Sequence, residues 1–272
     1  MWLGIGQYDQ YYLSVLVVLG TMSAAAFLLW LCQRSRWVPF LRTFRGIAQN
    51  FLTVINVIFA LNLAFLANDT WNARDRALDA VFQEGGNLRT ILDLAEHLPD
   101  AERTEIDQAV QRYGDLVVDT EWPLLARRLS SPQTDDALDA LVSRIARPDV
   151  ATHAGTSVQA LMLQQTVQVR NSRELRIALS RTHVNPLKWL GMAFLGFLTM
   201  ISIAMVHVEQ PRAELLAVLL FATAAAPTAA IILVHGNPFQ HPMAISSQPI
   251  LDAITAGSPA QGIDLLHPET DR

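Results

Sequence analysis

The segment Ile47–Trp71 reads IAQNFLTVINVIFALNLAFLANDTW, and its apolar run decides the fold of this chain. A helix needs about 20 predominantly apolar residues to cross a hydrocarbon core about 30 Å thick. The segment reaches that length before its first charged side chain, Asp69. It therefore predicts a helix that crosses a membrane.

Three further stretches have the same apolar character, so the prediction extends to four spans. The four stretches are Tyr12–Leu31, Ile47–Leu66, Leu187–Val206 and Ala213–Val234. They occur in two pairs with a long polar block between the pairs. The sequence predicts an all-α integral membrane protein with four transmembrane helices in two hairpins and a helical extramembrane domain between them.

These stretches set the predicted domain boundaries. Residues 1–66 form the first transmembrane hairpin, and residues 67–186 form the helical extramembrane domain. Residues 187–234 form the second hairpin, and residues 235–272 form an extended, proline-containing C-terminal tail.

The composition narrows the class of protein. Hydrophobic residues make up 51% of the chain and charged residues 17%, against about 25% charged residues in ordinary soluble domains. The net charge of −5 argues against a nucleic-acid partner, which would require a basic surface. Cys32 is the single cysteine, so an internal disulfide is impossible, and we expect it to be a packing residue.

The sequence offers no set of residues for catalysis. Its seven histidines are scattered, and the closest pair, His235 and His241, has no neighbouring residue to complete a metal site. A glycine-rich phosphate loop, a serine elbow and a metalloprotease helix signature are all missing from the sequence. We therefore expect no enzyme activity, no catalytic residues, no bound metal and no cofactor.

The second span differs from the others because it carries amide side chains. At about 100° per residue, Gln49, Thr53 and Asn56 fall on one stripe of the helix, whereas Asn62 falls on another side. Polar side chains in lipid should face other helices or water. Two interpretations stay open: hydrogen bonds between helices, or the lining of a water-filled path.

The polar block reads as helical throughout. The helical pattern of the second span continues beyond Leu66, with Gly85-Gly86 as a possible bend. Pro123 predicts a kink or break in a later helix, and Glu121 just before it is interpreted as a solvated or helix-terminal carboxylate. Val158–Arg181 forms an arginine-rich helix whose charges are expected mostly on a solvated face, paired with carboxylates.

The orientation in the membrane stays open on charge alone. The short connection between the first two spans carries Arg34, Arg36, Arg42 and Arg45, which favours a cytoplasmic location for it. The polar block also carries arginines near both of its membrane ends. Positive charge therefore lies on both sides.

Three stretches of the sequence carry a family resemblance. They are FALNLAFLANDTWNARDRALDAVFQEGGNL (Phe59–Leu88), EWPLLARRL (Glu121–Leu129) and HGNPFQHPMAISSQPI (His235–Ile250). They resemble the bestrophin-like family of bacterial membrane proteins, and the resemblance extends from about Asn50 to Ile250. It implies a multi-pass protein of the bacterial inner membrane. The more distant resemblance to bestrophin channels rests on the order of hairpin, helical domain and hairpin.

Bestrophin channels are rings of subunits around one axial pore whose neck is lined by the second span, and they conduct anions or, in some bacterial relatives, cations. The resemblance implies a homo-oligomer around a central axis, with membrane lipids and small inorganic ions as its other partners. It also implies a cytoplasmic helical domain. The resemblance and the amide stripe together imply that the following residues are candidates for lining the pore: Gln49, Thr53, Asn56, Phe59, Asn62, Leu63 and Leu66.

The chain departs from bestrophins at two points. Its second span carries amides where an apolar constriction is expected. Asp135-Asp136 and Asp139 lie in an ordinary helical stretch and do not resemble a calcium clasp, so calcium gating is not implied.

Two functions of different classes follow. The first is an oligomeric bestrophin-like ion channel that slightly favours anions over monovalent cations. The alternative is a membrane scaffold or sensor that does not conduct and whose helical domain binds a partner. A continuous hydrated path along the second span would favour the channel, and a dry subunit core or a monomer would favour the scaffold.

Overall fold

A computed structural model describes residues 9–34, 45–181, 186–241 and 243–256. Within these ranges the chain forms helices and no β-strand, which confirms the all-α class. The helices are α1 (Asp9–Arg34), α2 (Arg45–Ala95), α3 (Asp100–Asp115), α4 (Trp122–Leu125), α5 (Pro132–Ile145), α6 (Pro148–Ala154), α7 (Thr156–Arg181), α8 (Pro186–His207), α9 (Pro211–Val234) and α10 (Gln248–Ala256), with a π-helical turn at Leu116–Glu121.

Helices α1, α2, α8 and α9 are each long and apolar enough to cross a membrane, as the four apolar stretches predicted. The candidate spans are Tyr11–Arg34, Phe51–Ala95, Leu187–His207 and Pro211–Val234, and the 18-residue apolar window within each has a mean hydropathy between 2.0 and 2.3. In α2 only 6% of the most apolar window is buried within the subunit. Most of this window is therefore left uncovered by the rest of the chain.

The chain divides into two compact units. We call residues 1–74 with 182–237 the spanning unit, and residues 75–181 with 238–272 the helical unit. Helix α2 contributes to both, because the boundary falls between Arg74 and Asp75. The arginine-rich tip of the first predicted hairpin lies largely outside the described residues.

Two apolar clusters hold the spanning unit together. The first joins α1, α8 and α9 through Ala25, Leu28, Cys32, Met200, Ala204, Val218 and Ala222. The second attaches α2 to α8 and α9 through Leu66, Ala67, Met192, Ala229 and Ile232. Alanines at these contacts let the helix backbones approach closely, which is how helices associate in lipid. Cys32 is 2% exposed, as a packing residue should be.

Helix α2 continues without interruption for 51 residues, so the predicted extension beyond Leu66 is confirmed. It runs through Gly85-Gly86 as an unbroken helix. Gly85 has a packing role: a Cβ atom there would lie 2.5 Å from the carbonyl oxygen of Pro249. The missing side chain lets the tail backbone lie directly against α2.

The helix that contains Pro123 does not simply break. It widens into the π-helical turn Leu116–Glu121, and α4 then carries Pro123 in its first turn and ends at Leu125. Proline lacks the N–H that an α-helical hydrogen bond would use, so it is tolerated in the first turn of a helix. The wider turn before it places Glu121 in the interior, where the side chain is 0% exposed.

The described part of the tail contains a helix that the sequence did not indicate. The segment 235–272 was predicted as extended, yet Gln248–Ala256 forms α10. Ile250 and Ile254 are buried at 0% and 4% exposure. A Cβ at Gly114 of α3 would lie 2.6 Å from Ile254 Cγ2, so α10 is seated against a second glycine. Packing therefore stabilises a nine-residue helix that would be marginal alone.

Candidate functional site

The spanning part of α2 carries the predicted pore-lining residues, and the structure places them on two faces. Thr53 and Asn56 are exposed on the surface of the spanning unit. Leu66 is 1% exposed and belongs to the cluster that attaches α2 to α8 and α9. Gln49 lies in α2, but its side chain is outside the described residues.

The other three predicted residues, Phe59, Asn62 and Leu63, are half-buried and turn toward the neighbouring spans. The ring of Phe59 lies 5.5 Å from that of Phe221 in α9, measured between centroids. A Cβ at Gly191 in α8 would lie 4.0 Å from the side-chain nitrogen of Asn62. In a single subunit these side chains face other helices, whereas Thr53 and Asn56 face outward.

Asn56 is the most informative of these residues because its surroundings do not match its chemistry. It is exposed, and its amide makes no hydrogen bond within the described residues. The next two residues along the helix, Val57 and Ile58, are exposed as well, at 52% and 46%. An uncovered amide among apolar side chains is costly if it faces lipid. Its face of α2 is therefore suited to water or to a second protein surface.

In the helical unit, α2 carries a buried carboxylate that sequence reasoning missed. Glu84 is 0% exposed and accepts two hydrogen bonds from Arg176 of α7, at 2.9 and 3.0 Å. Arg176 also reaches Glu121 at 3.3 Å. This arginine therefore ties α2 to the end of the π-helical turn.

A second arginine of α7 completes the network. Arg173 is 2% exposed and donates two hydrogen bonds to Glu121, at 2.9 and 2.7 Å. It also pairs with Asp135 and donates to the carbonyl oxygen of Ser131. Buried carboxylates and guanidinium groups thus neutralise one another, which removes most of the cost of burying charge.

Neighbouring aromatic side chains enclose this network. The hydroxyl of Tyr113 donates to Glu84 at 2.7 Å. Burial raises the pKa of Tyr113 well above its usual range, and the charge of Glu84 raises it further, so the phenol remains a donor. The guanidinium carbon of Arg176 lies 5.0 Å from the ring centroid of Trp122, within cation–π distance. Burial disfavours its charge, but Glu84, Tyr113 and Glu121 raise the pKa of Arg176 overall.

The tail closes over the same region. Trp122 donates its indole N–H to the carbonyl oxygen of Ile245 at 3.1 Å. Its ring meets Phe239 edge to face at 5.5 Å. The side chain of Gln240 donates to the carbonyl oxygen of Ala126 at 3.1 Å. The motif Glu121-Trp122-Pro123 therefore has a structural role: it ends the π-helical turn and contacts both the buried network and the tail.

Of the two interpretations of Glu121, the solvated carboxylate was wrong, because the side chain is buried in the network, whereas the helix-terminal position is confirmed, because Glu121 ends the π-helical turn. A signal for the network was present in the sequence at Glu84. This residue falls on the same stripe of α2 as Ala77, Val81 and Leu88, all of which are buried. A charged residue on a buried stripe requires an opposite charge. The sequence does not show that Arg176 supplies it.

The described residues contain no group of three or more histidine, cysteine, aspartate or glutamate side chains that could hold a metal ion. The carboxylates Glu84, Glu121 and Asp135 are engaged by arginines. The arrangement is therefore suited to holding the helices together.

Comparisons with known proteins identify a family and two solved structures that this chain resembles. A model of the bestrophin-like domain matches residues 19–250. A crystal structure of a membrane protein superimposes with a TM-score of 0.58 at 14% identity, covering 92% of this chain and 97% of that one. A bacterial bestrophin homolog from Klebsiella pneumoniae aligns at 17% identity with a TM-score of 0.43, covering 93% and 98% of the two chains. No curated protein matches the sequence.

Proposed function

Because the chain belongs to the bestrophin-like family, which includes ion channels, we propose that it is an oligomeric ion channel of the bacterial inner membrane. Subunits surround a central axis, and the spanning part of α2 lines the pore. Small anions are favoured slightly over monovalent cations. The helical unit forms an extramembrane domain.

The observation that carries this proposal is the exposed amide of Asn56 in a membrane-spanning helix. Thr53 is exposed one turn earlier. Residues three apart on a helix lie on neighbouring positions of its surface. When subunits meet around an axis, these side chains reach water in the pore and avoid contact with lipid.

The helical unit also supports assembly, because it exposes apolar side chains where the spanning unit exposes a polar one. Leu78 and Phe82 of α2 are 40% and 58% exposed and lie four residues apart, so they share one face of the helix. Apolar side chains grouped on a surface outside the membrane mark sites of protein contact. A second subunit that covers them would bring the α2 helices together.

The preference for anions rests on the resemblance to bestrophin channels. An amide offers both a donor and an acceptor, so Asn56 can hydrate either sign of ion. Asp69 pairs with Lys188 at 2.5 Å, which leaves little net charge there. Selectivity therefore arises mainly from the vestibules and is expected to be weak.

The test replaces the amides with a side chain of similar size and no polarity. Asn56→Leu should lower single-channel conductance strongly, because the pore wall loses an exposed hydrogen-bonding group. Asn62→Leu should lower it less, since Asn62 is half-buried beside α8. Val54→Leu is the matched control, because it enlarges an exposed side chain on another face of the same helix.

The outcomes separate the channel from its alternative. Reduced conductance in Asn56→Leu, with wild-type conductance in Val54→Leu, supports a pore lined by α2. Unchanged currents in both asparagine variants would show that these amides do not line the path. A folded protein that never conducts would favour the scaffold or sensor.

A further inference from the structure

A cavity of about 290 Å³ lies among the four helices of the spanning unit. Its walls come from α1, α8 and α9, and Phe59 of α2 closes one side. Gly20, Ala193 and Phe197 line it and are exposed, so it opens on the outer surface of the unit. Left empty, a space of this size would cost its apolar lining the van der Waals contacts that an occupant supplies.

The chemistry of the lining identifies the class of occupant. Most of the wall is aliphatic or aromatic, and it includes Met192 and Met200. Thr21 is polar, but its hydroxyl donates to the carbonyl oxygen of Val17 at 2.8 Å. Water needs two or more polar partners to stay in a cavity, and apart from Thr21 and the indole N–H of Trp189 the lining supplies none. The occupant is therefore apolar.

The position of the cavity identifies the source of that occupant. Every lining residue belongs to a helix able to cross the membrane, so in a membrane the cavity lies at the depth of the bilayer. The indole N–H of Trp189, which also lines the cavity, is buried and has no acceptor in the described residues. Trp189 follows Lys188 in the first turns of α8, and Lys188 is 54% exposed beside Asp69. Tryptophan at such a helix end lies at the level of lipid headgroups, where ester carbonyls can accept from it.

We propose that this cavity binds one acyl chain of a membrane phospholipid. The chain enters between Gly20 and Phe197 and packs against the methionines. The volume of the cavity is close to the lower limit of small-molecule pockets, about 300 Å³. Part of the acyl chain therefore stays in the bilayer. A small turn of the Trp189 ring lets its N–H meet the ester carbonyl of the same lipid.

Gly20 lines the cavity and leaves space for a larger side chain. A Cβ added there would meet nothing within 4 Å, so a larger side chain has room without displacing the helices. Ala225 lines the opposite side of the cavity from α9. Gly20→Leu and Ala225→Leu therefore fill the same space from two different helices. Ala26→Leu is the matched control, since Ala26 is exposed on α1 and does not line the cavity.

The experiment is native mass spectrometry of the full-length protein after reconstitution with phosphatidylcholine of one defined acyl composition and mild delipidation in detergent. Wild type and Ala26→Leu should retain one phospholipid mass per subunit, and both cavity variants should lose it. Circular dichroism and size-exclusion profiles identify any variant that fails to fold. If one of the two cavity variants fails to fold, lipid retention is compared between wild type and the other cavity variant.

Two results would overturn the proposal. Retention of the lipid by a folded cavity variant would place it elsewhere on the protein. A wild-type protein that retains no phospholipid, or holds only detergent, would show that no acyl chain binds. Because the readout is a bound mass, it stands independently of whether the protein conducts ions.

Discussion

One helix, α2, meets two different environments in this subunit. In the helical unit its buried face carries Glu84, which Arg176 neutralises, and Gly85 lies in direct contact with the tail backbone. In the spanning unit its outer face leaves Asn56 uncovered, and Phe59 borders a cavity of about 290 Å³. In the helical unit the buried carboxylates pair with arginines, although Arg176 Nη1 has no acceptor among the described residues, whereas in the spanning unit the amide of Asn56 is left exposed among apolar residues. The spanning unit is therefore the part that needs lipid, water or other subunits to be complete.

Among the substitutions that we consider, loss of a buried arginine in the helical unit should lower the stability of the protein most. Arg176→Met leaves Glu84 buried without its main counter-charge, which should destabilise the protein by about 3–5 kcal/mol. In a scan of thermal unfolding this corresponds to an apparent Tm lower by on the order of 10 °C. The measurement is thermal unfolding of the purified protein in detergent.

The control for Arg176→Met is a substitution of another arginine of α7 that forms an exposed ion pair. Arg170 pairs with Asp139, and their side chains are 39% and 65% exposed. Arg170→Met should therefore cost about 1 kcal/mol or less. Equal losses in the two variants would contradict the assignment of Arg176 as the centre of a buried network.

The next effect concerns close packing against α2. Gly85→Ala places a methyl group 2.5 Å from the Pro249 carbonyl oxygen, so the tail must move. Overpacking of this kind typically costs about 1–3 kcal/mol. We expect a lower apparent Tm and faster cleavage of the tail in limited proteolysis.

The adjacent glycine provides the control. A Cβ at Gly86 would meet nothing within 4 Å. Gly86→Ala should leave stability unchanged or raise it by up to about 1 kcal/mol, because alanine favours the helix more than glycine does. A tail equally sensitive to protease in both variants would show that the contact at Gly85 does not hold it.

The smallest effect concerns the exposed apolar face of α2 in the helical unit. Phe82→Glu should weaken subunit association about tenfold, equivalent to about 1.4 kcal/mol, without unfolding the subunit. Mass photometry over a dilution series measures this change. Val167→Glu on α7 is the control, since Val167 is 54% exposed. Normal assembly of Phe82→Glu would place the subunit contact on another surface.

The sequence predicted the spans well because their signal is local. A run of apolar residues long enough to cross a membrane is visible without knowledge of any partner. The continuation of α2 beyond Leu66 was equally visible from its helical spacing, and the structure confirms it.

Features that depend on distant contacts were not predictable. Gly85 was interpreted as a possible bend, because the sequence does not show that Pro249 packs against it. Helix α10 was missed because a nine-residue helix draws its stability from the surface that it covers. The amide stripe was visible, but only the structure shows that Asn56 is uncovered and that Asn62 turns toward α8.

The most direct test of the proposed channel is the reversal potential of purified oligomer in a planar bilayer under a KCl gradient. For a channel that slightly favours anions, we expect unitary currents whose reversal potential lies toward the chloride equilibrium potential. Currents that reverse near the potassium potential would contradict the preference for anions. Repeated silence from folded oligomer would contradict the channel itself.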